Sequence, residues 1–179
     1  MRIVSGPVGH EKVHFEAPPG EVITAQMRRF FEWWRESLGS VDGLLRAGIA
    51  HFYFVTIHPF EDGNGRLARA LTDMALAQDE KNGVRYYSLS SQIMEERRAY
   101  YYILEECSKS HEVDLTRWLV WFLECYRRAL ARSGEILGHV LAKAEFWQEH
   151  AQAELNDRQR KVLNRMLDEI GRASCRERV

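Results

Sequence analysis

The sequence predicts a mainly α-helical domain preceded by a short β-hairpin. Apolar residues recur every three or four positions over most of residues 21–147, which is the spacing of amphipathic helices. Short β-prone runs surround Gly6, Pro7 and Gly9 and predict a hairpin over residues 3–15. The chain has 179 residues, of which 45% are hydrophobic, so it can bury one substantial core. We therefore expect one compact domain with an appendage.

The first two helices are predicted from their apolar spacing and from their ends. The first begins at Glu21 and is closed by Gly39. The second begins near Asp42. It must stop at His58, because the residue before Pro59 is disfavoured in the α region.

Four further helices are predicted along the chain. The third starts near Gly65 and is expected to direct its large apolar residues inward: Leu67, Leu71 and Met74. A fourth spans residues 91–108. A fifth begins at Asp114, a favourable N-cap, and continues or restarts up to Trp147. A last short helix lies within residues 155–167.

Charge and cysteine content exclude several classes of protein. The chain has 25 Lys and Arg against 26 Asp and Glu, so a broad nucleic-acid or anionic-membrane surface is not expected, whereas a local anion pocket is compatible. Its three cysteines have no short metal-type spacing. No run approaches the roughly 18 apolar residues of a membrane span, and no signal peptide follows Met1. We expect a cytoplasmic protein without a membrane partner.

Residues 57–69, "IHPFEDGNGRLAR", concentrate polar and glycine residues. Aligned as a calcium loop, the stretch would place Phe60 and Leu71 at ligand positions, where neither can bind calcium. A Walker loop requires Lys and then Ser or Thr after its last glycine, and this sequence does not have them. What remains is a glycine-rich turn leading into a helix. The backbone N–H groups of Gly63, Asn64 and Gly65 have no partner within the helix, and such groups at a helix start bind phosphate.

The side chains of this stretch suit the same ligand. Arg66 and Arg69 are three residues apart, hence on one helix face, where two guanidinium groups can clamp phosphate oxygens. Asp62 can hold Mg²⁺, which takes one or two carboxylates together with phosphates and water. His58 is suited to accept a proton from a hydroxyl near neutral pH. We therefore predict attack of a hydroxyl on a nucleotide phosphate, and we expect Phe60 to anchor the loop in the core.

The stretch "HPFEDGNGRLAR" resembles, position for position, the Fic signature HxFx(D/E)GNGRxxR. The resemblance covers about residues 1–150, with the motif at 58–69, and implies a Fic fold: a helical bundle with an N-terminal β-hairpin flap. It also implies transfer of AMP from ATP to a Ser, Thr or Tyr hydroxyl of a target protein, with Mg²⁺ as cofactor and pyrophosphate released. By the same resemblance His58 is the general base and Asp62 the metal ligand. The phosphate ligands would be Gly63, Asn64, Gly65, Arg66 and Arg69.

Two further sets of residues follow from the resemblance. The flap, about residues 3–15, would align the target segment by strand addition, through Val4, Ser5, Val13 and His14. The helix after the motif would supply side chains near the adenine: Tyr101, Tyr102 and Leu104. An amide-bearing residue often follows four positions later in the family, and Ser108 stands there in this chain.

The resemblance leaves alternatives open. One is removal of AMP, or transfer of another phosphate-linked group, because the motif specifies phosphate handling rather than the donor. Another is a nucleotide-binding regulatory or DNA-binding protein without transferase activity. Self-modification and a homodimer are compatible with the resemblance. The zincin pattern "HEKVH" at residues 10–14 is rejected, since in a strand its two imidazoles would lie about 13 Å apart.

Both ends of the chain are expected to differ from the natural protein. Residues 151–168 resemble the start of the winged-helix domain that follows some bacterial Fic cores, and DNA binding would require that domain in full. Residues 169–179, "EIGRASCRERV", are identified as the translation of a sequencing adapter. The inhibitory pattern (S/T)xxxE(G/N) of many Fic proteins has no match in the sequence. We expect that inhibitory sequence to lie outside this chain.

Overall fold

A computed structural model describes the backbone of residues 2–5, 12–16, 20–109 and 114–176, and the side chains of residues 21–108 and 114–168. The predicted mainly helical fold is confirmed. The described helices are α1 Gly20–Glu36, α2 Gly43–Ile57, α3 Asn64–Glu80, α4 Leu89–Glu95, α5 Arg97–Lys109, α6 Thr116–Glu149 and α7 Asp157–Arg176. None of them is long and apolar enough to cross a membrane over its described residues.

Two short strands precede the helices. Strand β1, Arg2–Ser5, pairs antiparallel with β2, Lys12–Glu16, and the register shifts between Ile3 and Val4. The predicted target-positioning residues have their backbone in these strands, but their side chains lie outside the described residues: Val4, Ser5, Val13 and His14. Their role in a flap stays a prediction.

The chain divides into two compact units, Met1–Arg127 and Arg128–Val179. In the first unit, α2 is the most buried helix, and its residues Ala50, Phe54 and Ile57 form a core cluster with Phe30 of α1 and Ala68 of α3. Asp42 caps α2 as predicted, because its Oδ1 accepts from the backbone N–H groups of the next turn at 3.0 and 3.1 Å.

Helix α3 confirms only part of the predicted buried face, since Leu71 packs against the core cluster as predicted. Leu67 and Met74 are exposed, so the expectation that they point inward is wrong. The buried residues of α3 in the helix interior are smaller on average: Ala68, Thr72, Ala75 and Leu76. Small side chains let two helix backbones approach closely, and α2 offers Ala47 and Ala50 in return.

The region predicted as one helix over 91–108 contains two. Helix α4 begins earlier than expected, because Ser88 caps it and accepts from the backbone N–H of Ser91 at 3.2 Å. At Glu96 the backbone leaves helical geometry, with ψ at 22°. Helix α5 then runs on from Arg97 and carries the tyrosines that the resemblance places near the adenine.

In the second unit, α7 starts at Asp157, inside the range predicted for the last helix, but it runs to Arg176 and so is longer than predicted. Asn156 and Gln159 form a reciprocal capping box with two bonds of 2.9 Å. Helix α7 also packs on the end of α6, where Trp147 Nε1 donates to Asn164 Oδ1 at 3.0 Å. This contact between α6 and α7 was not predicted from the sequence.

Candidate active site

The candidate site begins where α2 ends, at His58. This residue adopts a left-handed conformation (φ 50°, ψ 57°), and its backbone N–H donates to the Phe54 carbonyl oxygen at 3.1 Å. Left-handed backbone costs a non-glycine residue about 1–2 kcal/mol. Strain of this kind is often held at functional positions.

The His58 ring is mostly buried, and its Nδ1 atom is inaccessible to solvent. Burial lowers the pKa of His58, while a hydrogen bond with the backbone of Val55 raises it. The balance favours the neutral imidazole at pH 7, which is the form that accepts a proton. Nδ1 is enclosed, which leaves Nε2 as the candidate ring nitrogen for a contact with substrate.

Asn64 closes the loop between α2 and α3. Its Oδ1 accepts from the Phe60 backbone N–H at 3.1 Å, and its Nδ2 donates to the Phe60 carbonyl oxygen at 2.6 Å. The Asn64 side chain is buried, whereas the Phe60 ring is half exposed and lies 6.5 Å from Phe54 between ring centroids. The expectation that Phe60 anchors the loop in the core is therefore wrong. Asn64 holds the loop through its polar side chain instead.

Gly63 and Gly65 frame the start of α3. Gly63 is the N-cap, with φ at 87° and no side-chain hydrogen bond to the following N–H groups. Those first N–H groups have no carbonyl partner within the helix. Neither glycine is crowded: a Cβ at Gly63 would lie 3.6 Å from Arg66 Nη2, and one at Gly65 would lie 3.6 Å from Arg69 Nη1. Both guanidinium groups thus lie beside the glycine turn, which is the arrangement predicted for an anion cradle.

Asp62 and Arg66 form an exposed ion pair, with Nη2 and Oδ2 2.8 Å apart. From the sequence, both residues were predicted to bind one nucleotide, through Mg²⁺ and through phosphate. Their direct contact with each other was not predicted. No group of three or more His, Cys, Asp or Glu side chains in the described part of the chain could hold a metal ion on its own. A single exposed carboxylate suits Mg²⁺ that takes its other ligands from water and phosphate.

Arg69 is half-buried and extends along α3 from the glycine turn. Burial raises the pKa of Asp73, and the positive charges of Arg85 and Arg69 oppose that shift. Burial lowers the pKa of His51 and the Arg69 charge adds to that shift, whereas burial raises the pKa of Tyr100 and the Arg69 charge opposes that rise. Arg69 is therefore the member of the arginine pair that lies deeper in the fold.

The predicted adenine-side residues divide by exposure. Tyr101 and Tyr102 are 45% and 64% exposed, so a ligand can reach them, whereas Leu104 is 8% exposed and belongs to the core of α5. The Arg97 guanidinium lies 5.5 Å from the centre of the Tyr101 ring. A contact of these three residues with an adenine stays a prediction.

Sequence reasoning missed three buried polar residues next to Arg69: His51, Thr72 and Tyr100. His51 stands two helical turns before His58 on α2, and Thr72 stands one turn after Arg69 on α3. Helical spacing from the motif residues could have identified both. No motif or spacing in the sequence distinguishes Tyr100 from the two tyrosines that follow it.

Residues 3–76 match the family model of the Fic/DOC family. The chain is 40% identical over 57 residues to protein adenylyltransferase fic-1 of Caenorhabditis elegans, covering 31% of this chain and 11% of that protein. It is 28% identical over 103 residues to a probable protein adenylyltransferase of Aquifex aeolicus, covering 56% and 32%. It is 30% identical over 115 residues to protein adenylyltransferase Fic of Drosophila grimshawi, covering 63% and 22%.

The chain thus spans about a tenth to a third of the length of these curated relatives. The matched family region contains α2, the His58 cap, the glycine turn and most of α3. These are the elements that bring the motif side chains together. Over residues 3–76 the chain is therefore similar to the Fic/DOC family.

Proposed function

We propose that this chain is a protein adenylyltransferase, which moves AMP from ATP to a hydroxyl side chain of a target protein. The observation that carries the proposal is the arrangement around the α2–α3 loop. A mostly buried, neutral histidine, an uncapped helix start and two guanidinium groups follow one another within twelve residues. The similar proteins of Caenorhabditis elegans and Drosophila grimshawi are named protein adenylyltransferases, which supports the same reaction.

In the proposed reaction, the target hydroxyl oxygen attacks the α-phosphorus of ATP. His58 Nε2 takes the hydroxyl proton as the new oxygen–phosphorus bond forms. The bond from the α-phosphorus to the oxygen that bridges to the β-phosphate breaks, and pyrophosphate leaves. The products are a phosphodiester between AMP and the target and the protonated form of His58.

The phosphates are bound by this chain's own N–H and guanidinium groups. The backbone N–H groups of Gly63, Asn64 and Gly65 face the α- and β-phosphates, where the helix dipole favours negative charge. Arg66 and Arg69 bind the β- and γ-phosphates. Mg²⁺ held by Asp62 would neutralise charge on the phosphates when bound. Arg66 would have to exchange its bond to Asp62 for bonds to phosphate.

The flanking segments have proposed roles as well. The β1–β2 hairpin would align an extended target segment by adding a strand to one of its edges. Tyr101 and Tyr102 would contact the adenine. Residues 151–168 would begin a winged-helix segment, and DNA binding would need the rest of that domain. Residues 169–179 would be adapter-derived.

The proposal is tested by incubating the protein with Mg²⁺, a cell lysate and ATP labelled at either the α- or the γ-phosphate. Label in a protein band from the α-position only supports adenylyl transfer. Label from the γ-position would show phosphoryl transfer and contradict the proposal. Parallel reactions with GTP, CTP, UTP and a CDP-linked donor identify the preferred donor. Loss of label from a pre-labelled target would instead indicate removal of AMP.

A further inference from the structure

A buried polar cluster joins α2, α3 and α5 and takes no part in the proposed transfer chemistry. It consists of His51, Thr72 and Tyr100, each with less than 5% of its surface exposed. His51 Nδ1 lies 2.9 Å from Thr72 Oγ1, and His51 Nε2 lies 3.0 Å from the Tyr100 hydroxyl. Breaking either contact would leave a polar group unpaired in the core, so the cluster holds its three helices in one arrangement.

The hydrogen bonds fix the direction of each proton. Thr72 Oγ1 donates its only proton to the Ala68 carbonyl oxygen at 2.9 Å, so it must accept from Nδ1–H of His51. Nε2 is then unprotonated and accepts from the Tyr100 hydroxyl. Burial, together with the nearby Arg69 charge, lowers the pKa of His51 to about 3, which agrees with a neutral ring. Both ring nitrogens of His51 and the hydroxyl groups of Thr72 and Tyr100 are thus hydrogen-bonded.

Trp118 of α6 covers the cluster. Its ring centroid lies 5.4 Å from that of His51, and its Nε1 donates to the Gly48 carbonyl oxygen at 2.8 Å. Trp118 is itself fully buried. Water therefore cannot replace a hydrogen bond that a substitution removes, and the geometry of the cluster depends on its own side chains.

The cluster lies between the two ends of the proposed nucleotide site. Thr72 is one turn beyond Arg69 on α3, and the Arg69 charge acts on both His51 and Tyr100. Tyr100 immediately precedes Tyr101, and their ring centroids are 5.1 Å apart. One side of the cluster thus adjoins a phosphate-binding arginine, and the other side adjoins an exposed tyrosine available to a base.

We propose that Tyr100, His51 and Thr72 are positioning residues that hold the exposed tyrosines of α5 in register with Arg69 of α3, so that one nucleotide contacts both. The inference rests on the proposed function, because it assumes that ATP binds across these two helices. It adds a specific requirement. Affinity for the whole nucleotide depends on the Tyr100 hydroxyl, whereas affinity for a phosphate chain alone does not.

The experiment compares dissociation constants of ATP and of inorganic tripolyphosphate, both with Mg²⁺, by calorimetry. Tyr100→Phe removes one hydroxyl and keeps the ring. The dissociation constant of ATP is expected to rise about 3- to 10-fold, which lies within the range of couplings carried through packed networks. That of tripolyphosphate is expected to change less than about twofold, since it needs α3 only.

Tyr126→Phe is the matched control, because its hydroxyl also donates to another side chain, Tyr87 at 3.2 Å, within the same unit. It should leave both dissociation constants unchanged. Thr72→Val should reproduce the effect of Tyr100→Phe, and Thr72→Ser, which keeps the hydroxyl, should restore ATP binding. If Tyr100→Phe does not fold, the comparison of Thr72→Val with Thr72→Ser tests the inference.

Two results would overturn the inference while leaving the proposed function intact. In one, wild type and Tyr100→Phe bind ATP equally well. In the other, Tyr100→Phe weakens ATP and tripolyphosphate by the same factor, which would indicate general loosening of the fold. If the wild type binds neither ligand, the proposed function and this inference fall together.

Discussion

Asn64 and Phe60 are joined by two hydrogen bonds in which the asparagine carboxamide serves as donor and acceptor to the backbone of the residue four positions earlier. The contact sets the curvature of the loop that separates His58 from the start of α3. It also gives a reason for the asparagine between the two glycines. Its side chain binds the loop backbone, and its own backbone N–H stays available for the proposed phosphate contact.

Asn64→Ala should destabilise the loop and weaken ATP binding. It leaves the Phe60 N–H and carbonyl without their partner, which lowers the free energy of unfolding by about 1–3 kcal/mol. Urea unfolding and ATP calorimetry measure the two effects. Asn82→Ala is the control, because Asn82 makes an exposed contact with the Val84 N–H at 2.9 Å. If both variants bind ATP like the wild type, the loop contact has no role in the site.

Gly65→Ala should separate binding from stability. The added methyl group would lie 3.6 Å from Arg69 Nη1, beside the proposed cradle, and alanine favours helix over glycine by about 1 kcal/mol. We therefore expect an unchanged or raised melting temperature and an ATP affinity about tenfold lower, or 1.4 kcal/mol. Gly83→Ala, where a Cβ meets nothing within 4 Å, is the control. If Gly65→Ala binds ATP with wild-type affinity, the phosphates do not bind beside Gly65.

Arg69→Ala should weaken ATP more than ADP. Arg69 is proposed to bind the γ-phosphate, and a charge-assisted hydrogen bond contributes about 1.5–3 kcal/mol. The ratio of the ATP and ADP dissociation constants, measured by calorimetry, should rise about tenfold or more. Arg29→Ala, on the exposed surface of α1, should leave the ratio unchanged. Equal losses for both nucleotides would contradict the γ-phosphate role.

The buried His51 predicts a loss of stability in acid. Its folded pKa of about 3 lies below the ordinary value of 6.5, so the unfolded chain binds more protons between these values. Stability is then complete above pH 6.5 and falls as the pH drops below it, by up to about 1.4 kcal/mol per pH unit. His58, whose pKa is also lowered, acts in the same direction.

His51→Gln should reduce this dependence, since an amide does not titrate. Urea unfolding at pH 7, 6 and 5 measures the slope for the wild type and the variant. His139→Gln, which removes an imidazole from the other compact unit, is the control. A wild-type slope equal to that of His51→Gln would mean that His51 is not the group responsible.

Much of this arrangement could be predicted from sequence because it depends on local rules. Pro59 and the Asp42 cap determine both ends of α2. The three-residue spacing of Arg66 and Arg69 predicted that both lie on one helix face, and both guanidinium groups lie beside the glycine turn.

The errors concern burial and long-range contacts. The large residues Leu67 and Met74 were expected in the core, but close packing of α2 on α3 selects alanine there instead. Phe60 was expected to anchor the loop by its ring, and the structure uses Asn64. The hydrogen bond between His51 and Tyr100 joins residues 49 positions apart. It depends on the packing of α5 against α2, which no local sequence pattern predicts.

The most direct test of the account compares wild type with His58→Ala in transfer of α-labelled AMP to protein, with ATP binding measured on the same samples. We expect His58→Ala to bind ATP within about twofold of the wild type. Its transfer should fall by about 10² or more, the usual contribution of a general base. Equal labelling by wild type and His58→Ala, at equal ATP affinity, would contradict the assignment of His58 and with it the proposed mechanism.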